Sequence, residues 1–212
     1  MTVQHFTSNA ADRAMSDYQK LRRLMLALVV ASCAGLLVFG ASSHSAENSS
    51  RIAAIGLLLI ASGIGGRMWS TLYIGGRKSS EVVQSGPYST MRNPLYFFST
   101  ICAIGAGAQM GSIIAAGAFG IVCATAFLIV IKREETYLSA KFGEPFIEYA
   151  SRVPRFIPNP KLYRDDPQVW FSPTLLGRTL KDGLVFFLPA VLFALLRLLQ
   201  EQGHVPVLYR LW

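Results

Sequence analysis

Residues 96–131 read YFFSTICAIGAGAQMGSIIAAGAFGIVCATAFLIVI, and this stretch decides the fold. It carries no charged side chain, and it is too long for one passage through a hydrocarbon core that about 20 helical residues span. The run is broken only at Gln109, Met110, Gly111 and Ser112, which suit a tight turn, so two crossings joined as a helical hairpin are expected. On the first limb Ala103, Gly107 and Gly111 recur at four-residue spacing, and on the second Ala116, Gly120 and Ala124 do the same. Small residues at that spacing let helix backbones approach closely in lipid, which predicts a tight antiparallel pair. Gly105 and Gly107 make a poor nucleotide loop, because no strand precedes them and their surroundings are apolar.

Outward from the hairpin, apolar blocks from about Leu24 to Ala41 and from about Ile52 to Tyr73 predict two earlier crossings. A fifth, from about Gly183 to Leu199, is short and expected to kink at Pro189. The expected fold is therefore all-α: a polytopic membrane protein with about five transmembrane helices in a single embedded domain over residues 1–212. Composition agrees, since 52% of the residues are hydrophobic and only 15% charged, too apolar for an ordinary soluble domain. The first block lies behind a long, mostly polar stretch and lacks a small-residue cleavage site, so it is read as a retained helix rather than a secretory signal. Cys33, Cys102 and Cys123 all fall within crossings and read as small packing residues; neither a disulfide framework nor metal-ligand spacing is evident. In the second block Ala61 with Gly65 and Ser62 with Gly66 suggest another close helix contact just before Arg67. Arg67 either snorkels to the interface or serves the function, and Trp69 and Tyr73 fit an interfacial belt.

The net charge of +8 is placed asymmetrically. Arg13, Lys20, Arg22 and Arg23 precede the first block; Arg77, Lys78 and Arg92 lie between the second and third; many more fall between Lys132 and Lys181. The stretch Ser42–Ser50 and the hairpin tip hold no lysine or arginine. By the positive-inside rule the N-terminus, the middle loop and the Lys132–Lys181 segment are cytoplasmic and the tail after Gln200 lies outside. The expected setting is a bacterial inner membrane. Charge that orients a chain in the bilayer makes nucleic-acid binding an unneeded hypothesis.

Two cytoplasmic segments carry the polar chemistry. The first, 67–98, reads RMWSTLYIGGRKSSEVVQSGPYSTMRNPLYFF. Gly86-Pro87 marks a turn, and Asn93-Pro94 marks a helix start with Asn93 able to cap and Pro94 at the first helical position. Tyr88 and Arg92 read singly as interfacial anchors, but that does not explain their clustering. The second segment, 132–160, reads KREETYLSAKFGEPFIEYASRVPRFIPNP. Glu134 and Glu135 on a continuing helix point about 100° apart. Either one faces inward, to meet a ligand or to balance Arg67 or Arg92, or both are solvated beside Lys132 and Arg133.

Taken in order, Gly86, Pro87, Tyr88, Arg92, Pro94, Tyr96, Glu134, Glu135, Phe142, Gly143, Tyr149, Arg155 and Pro158 resemble the signature of the isoprenylcysteine carboxyl methyltransferase and phospholipid methyltransferase superfamily of membrane enzymes. That signature runs Gly-Pro-Tyr/Phe, Arg-His-Pro-x-Tyr, a hairpin crossing, Glu-Glu, then Phe-Gly and spaced tyrosines. The resemblance spans roughly Arg67 to Pro160. It implies an S-adenosylmethionine site at the cytoplasmic membrane boundary, with Tyr88, Asn93, Pro94, Tyr96, Glu134 and Glu135 binding the cofactor. Arg92, Glu135 and Arg67 would serve the reaction, and a lipid or small hydrophobic acceptor would arrive from the bilayer. Two positions depart from the pattern. Asn93 stands where histidine is usual and cannot titrate near neutrality, and Phe98-Ser99 stand where a glycine often follows.

Methyl transfer is an in-line displacement that needs positioning and exclusion of water more than acid–base machinery, which suits a site without a catalytic triad. The alternatives are an NADPH-dependent membrane reductase of related architecture and a non-catalytic membrane scaffold. Residues 161–182, interrupted by Pro167 and Pro173 and bearing Trp170 and Phe171, are expected to skim the interface. The fifth crossing either covers the substrate entrance or supports an oligomer.

Overall fold

The structure is a computed structural model that describes residues 40–42, 44–77, 80–207 and 209–210. Nearly all of the expected first crossing lies outside those residues, as do Arg13, Lys20, Arg22, Arg23, Cys33 and Lys78. The described elements are β1 (Gly40–Ala41), α1 (Ala46–Ile74), α2 (Pro87–Thr90), α3 (Pro94–Ala108), α4 (Ile113–Phe142) and α5 (Glu144–Arg152), followed by a 3-10 turn at Pro160–Leu162. Then come α6 (Pro173–Leu184), a 3-10 turn at Val185–Phe187, α7 (Leu188–Glu201) and β2 (Tyr209–Arg210). The protein is a polytopic, helical membrane protein. Among the described residues three helical runs are long and apolar enough to cross a bilayer: Ala46–Ile74, Ile113–Phe142 and Pro173–Gln200.

The third expected crossing is shorter than a full span. With 15 residues, α3 is about 22 Å long against a hydrocarbon core of about 30 Å. It starts with Pro94 at its first position and stops at Gln109. There the side-chain amide donates to the carbonyls of Ala53 (3.0 Å) and Gly105 (3.1 Å), so a buried polar group is satisfied against α1 and its own helix. By contrast α4 outruns the bilayer. Its apolar part ends at Ile131, and the turns from Lys132 to Phe142 project beyond it, carrying Glu134 and Glu135.

Small residues set how the helices meet. A Cβ on Gly107 would lie 2.7 Å from the Ala115 carbonyl, and one on Gly120 would lie 2.6 Å from Ile104 Cγ1, so the hairpin limbs approach through the expected glycines. On α1 the spacing is borne out at Gly66 and not at Gly65, and Gly56 and Gly63 add to the contact. Gly65 faces open space, while Gly56, Gly63 and Gly66 are pressed against α3. The reason is rotational: Gly56 and Gly63 are seven residues apart and share the face that also buries Ile60 against Cys102, and Gly65 is turned away from it. A Cβ at Gly63 would collide with Cys102 Sγ and approach the Phe98 carbonyl to 2.8 Å. Gly63→Ala is expected to destabilise the folded protein by about 1–3 kcal/mol, and Gly65→Ala to leave it unchanged, as read from thermal unfolding in detergent.

The fifth crossing is a longer helical run than expected, with a 3-10 turn rather than an abrupt kink. Pro189 has no N–H to give the Val185 carbonyl, and the Leu188 N–H bonds that carbonyl instead. The ends of the chain fix which loops share a side. β1 pairs in parallel with β2, and the Ser42 hydroxyl donates to the Gly111 carbonyl at 3.1 Å. The Ser42–Ser50 stretch, the hairpin tip and the C-terminal tail therefore lie at one end of the bundle. The loops rich in basic residues lie at the other.

Candidate functional site

At that other end the chain between α1 and α3 folds into a turn that needs a glycine twice. Gly86 has φ +56°, a region costly for a residue bearing a Cβ, and the Tyr73 ring lies where that Cβ would stand. Pro87 then opens α2. An extended strap from the end of α5 to Asp166 holds this turn in place. The Gly86 N–H donates to the Arg164 carbonyl (2.8 Å), the Arg92 N–H to the Pro154 carbonyl (2.9 Å) and the Asn159 N–H to the Thr90 carbonyl (2.9 Å), while the Arg164 N–H donates to Ser89 Oγ (2.9 Å). Asp165 closes the strap by accepting from the phenols of Tyr73 (2.7 Å) and Tyr163 (2.8 Å). These bonds, Tyr73's first, hold its carboxyl below the usual range. On α5, Phe146, Tyr149 and Val153 form the buried stripe of an amphipathic helix, packed against Val82, Leu138 and Phe142.

The end of α1, residues 81–83, the α2 turn, the start of α3, the projecting turns of α4 and the buried face of α5 line a cavity of about 710 Å³, within the range of small-molecule sites. Every residue singled out from the sequence lines it: Arg67, Tyr88, Arg92, Asn93, Pro94, Tyr96, Glu134 and Glu135. The two acidic residues do not divide into one inward and one solvated. Tyr96 donates its phenol to Glu134 Oε2 at 2.9 Å, and Glu135 is held from three directions. Its Oε2 accepts from Arg155 Nε at 2.9 Å, while its Oε1 lies 3.5 Å from both Arg92 Nε and the Asn93 amide. The Arg92 and Glu135 side chains are each only 12% exposed, against 43% for Arg155.

Asn93 occupies the helix-start position expected of it, but its side chain makes no cap bond. Its amide is turned to the Arg155 carbonyl (2.9 Å) and to Glu135 instead, so the residue ties α3 to α4 and the strap. Arg67, inside α1, donates to the Ser99 hydroxyl on α3, within the bundle rather than out at the interface. Ser99, one of the departures from the family pattern, thus supplies the partner of an intramembrane cation.

Tyr88 stands apart. It is buried, its backbone carbonyl accepts from Tyr149 at 2.7 Å, and its own hydroxyl has no hydrogen-bond partner among the described residues although the residue lines the cavity. Burial, reinforced by nearby Tyr149 and Glu134, pushes this phenol well above its ordinary range; it is a neutral donor at any working pH. Leaving such a donor unmatched costs about 1–3 kcal/mol, so the hydroxyl is poised for an acceptor atom that the protein does not provide.

Sequence reasoning missed one wall. Arg178, Thr179 and Asp182 on α6, with Val185 and Phe186 just after it, line the same cavity, so half of the segment expected to skim the surface is a site helix. Trp170, 82% exposed, does suit the headgroup level. The signal lay in Ser172-Pro173, which caps and opens α6, and in the four-residue spacing of Arg178 and Asp182, one turn of helix.

Residues 52–145 match the family described as phospholipid methyltransferase. The chain is 33% identical over 181 residues to the nickel-cobalt-cadmium resistance protein NccN of Alcaligenes xylosoxydans, covering 84% of each chain. It is 33% identical over 165 residues to the cobalt-zinc-cadmium resistance protein CzcN of Cupriavidus metallidurans, covering 77% of this chain and 74% of that one. Over 78 residues it is 37% identical to protein-S-isoprenylcysteine O-methyltransferase B of Arabidopsis thaliana, covering 37% of this chain and 40% of the plant protein. No solved structure matches.

Proposed function

The chain belongs to the isoprenylcysteine carboxyl methyltransferase and phospholipid methyltransferase superfamily of membrane enzymes, and from that premise we propose that it transfers a methyl group from S-adenosylmethionine to a lipid or small hydrophobic acceptor at the cytoplasmic membrane boundary. The observation that carries this reading is the buried Tyr88 hydroxyl, unmatched among the described residues, in a cavity whose charged groups are arginines and carboxylates. That donor set suits a zwitterionic organic cofactor. Arg92 complements a carboxylate, Glu134 and Glu135 complement cationic or hydroxyl groups, and Tyr88 supplies a neutral donor. The aromatic wall is built by Tyr96 and Phe127, whose ring centroids lie 4.8 Å apart; such faces also favour a cation.

When bound, S-adenosylmethionine supplies an electrophilic methyl group. The protein's own part is to bind, orient and exclude water. Glu135 balances the charge of Arg92 from 3.5 Å, Tyr96 fixes the Glu134 carboxylate, and Tyr149 fixes the Tyr88 backbone. Phe127, Phe142 and Phe146 make the rest of the wall apolar, which keeps water from competing with the acceptor. No side chain here is required to shuttle a proton, and Asn93 cannot. Asn93→His is expected to add a titration step near pH ~6.5 to the transfer rate that the native profile lacks, checked by rate measurements across neutral pH.

Two relatives carry metal-resistance names. Glu134 and Glu135 are engaged by tyrosine and arginine, which suits an organic cofactor better than a metal ion. The direct test is transfer of labelled methyl from S-adenosylmethionine into total lipid and small-molecule extracts by the full chain. Label in an extracted product supports the reading and identifies the acceptor, whereas no transfer into any fraction overturns it.

A further inference from the structure

The wall contributed by α6 lies beyond residues 52–145, the stretch that matches the family. It is nonetheless fixed to the rest of the bundle at three points. The Thr179 and Thr71 hydroxyls are 3.0 Å apart and share a hydrogen bond. At Gly183 the helix comes so near α1 that a Cβ there would stand 3.0 Å from Ile64 Cγ1. Phe186 and Phe187 pack on the Ile60, Ile64 and Cys102 cluster. A helix anchored within residues 178–182 and immediately after them presents those side chains to the cavity in a fixed register.

Arg178 and Asp182 are the charged residues of that register that line the cavity, one turn apart, and both are exposed at its edge. Opposite charges at this spacing commonly pair along a helix, yet these two form no ion pair with each other or with another described residue. Their faces are turned to the opening instead. Immediately beyond them the lining becomes apolar, through Val185 and Phe186, and the helix continues as α7, whose Leu188, Val191, Leu192 and Leu195 are exposed and suit lipid contact. Ordered along one helix are therefore a lipid-facing surface, an apolar cavity wall and a charged edge. That is the order of groups in an amphiphile lying with its chain in the bilayer and its headgroup at the surface.

We infer that α6 is the acceptor-selecting wall of the cavity, with Arg178 receiving an anionic group of a lipid-embedded acceptor and Asp182 disfavouring a second one. This deepens the methyl-transfer reading and rests on it for the word acceptor. The charge preference itself is a property of the rim, measurable without the reaction.

The test titrates two single-chain amphiphiles, dodecyl phosphate and dodecyltrimethylammonium, into the full chain held in uncharged dodecyl maltoside micelles, with binding read by calorimetry. Native protein is expected to prefer dodecyl phosphate, and Arg178→Gln to weaken its binding by about fivefold, the upper value of a solvent-exposed charge pair. Asp182→Asn is expected to tighten it. Lys181→Gln removes the same charge from the same helix at a residue that does not line the cavity, and is expected to bind as the native protein does. Equal losses in Arg178→Gln and Lys181→Gln, or no loss in Arg178→Gln, would overturn the inference. S-adenosylhomocysteine affinity, measured on the same variants, separates the two proposals. Unchanged affinity in Arg178→Gln keeps the rim distinct from the cofactor pocket, while absence of any affinity in the native protein defeats the methyl-transfer reading and leaves the rim's charge preference to its own measurement.

Discussion

Glu135→Ala is expected to weaken S-adenosylhomocysteine binding on the order of 100-fold and to slow methyl transfer in proportion. Glu135 is the one carboxylate within reach of Arg92, Asn93 and Arg155 together. Removing it strands the Arg92 guanidinium, only 12% exposed, without its counter-charge. Breaking a buried pair in this way costs about 3 kcal/mol or more, and 3 kcal/mol corresponds to somewhat over 100-fold in an equilibrium constant. The same change unties the strap from α4, so the thermal midpoint in detergent should fall as well. Arg155→Ala is the informative contrast. It removes a partially exposed charge whose pairing is screened by solvent and leaves Arg92 and Glu135 facing each other, so its loss should stay below about tenfold. If Glu135→Ala bound S-adenosylhomocysteine as tightly as the native chain, the carboxylate would be a structural tie and no part of a cofactor pocket.

Tyr88→Phe separates binding from stability by sign. The native hydroxyl is buried without a partner among the described residues, so deleting it relieves a desolvation cost of about 1–3 kcal/mol while keeping the ring's packing against Tyr73 and Val83. The variant should unfold at a slightly higher temperature than the native protein. Its affinity for S-adenosylhomocysteine should nevertheless drop by about tenfold, one hydrogen bond's worth to a buried acceptor. A residue held only for packing would move neither quantity, and one held for a hidden bond within the protein would lower both.

The hairpin, the helix starts and the membrane class were legible because each follows from a local pattern. The uncharged run 96–131 with a polar break, Asn93-Pro94, and the one-sided placement of arginine and lysine are examples. Cavity-lining residues near the motifs were also legible, since the order Tyr88, Arg92, Tyr96, Glu134, Glu135 carried a resemblance whose parts the fold brings together. Rotational phase was not. Four-residue spacing selected Gly65 as readily as Gly66, and only the position of α3 shows that Gly63 and Gly66 face it. Nor could sequence distinguish a capping Asn93 from one that spends its amide on Glu135 and the Arg155 carbonyl, because a long-range partner outcompetes a local bond. The site role of α6 was hidden for a similar reason. Its anchors, Thr71 and Ile64, lie about a hundred residues away in sequence, and a short amphipathic helix near a membrane reads first as a surface element.

The central claim is that the two polar segments, 67–98 and 132–160, form one S-adenosylmethionine pocket. Its most direct test is equilibrium binding of labelled S-adenosylhomocysteine to the full chain in detergent, native against Tyr88→Phe and Glu135→Ala, with NADPH as competitor. The account predicts saturable native binding that NADPH does not displace, weakened modestly by the first change and severely by the second. Binding that both variants retain in full, displacement by NADPH, or no native binding would contradict it.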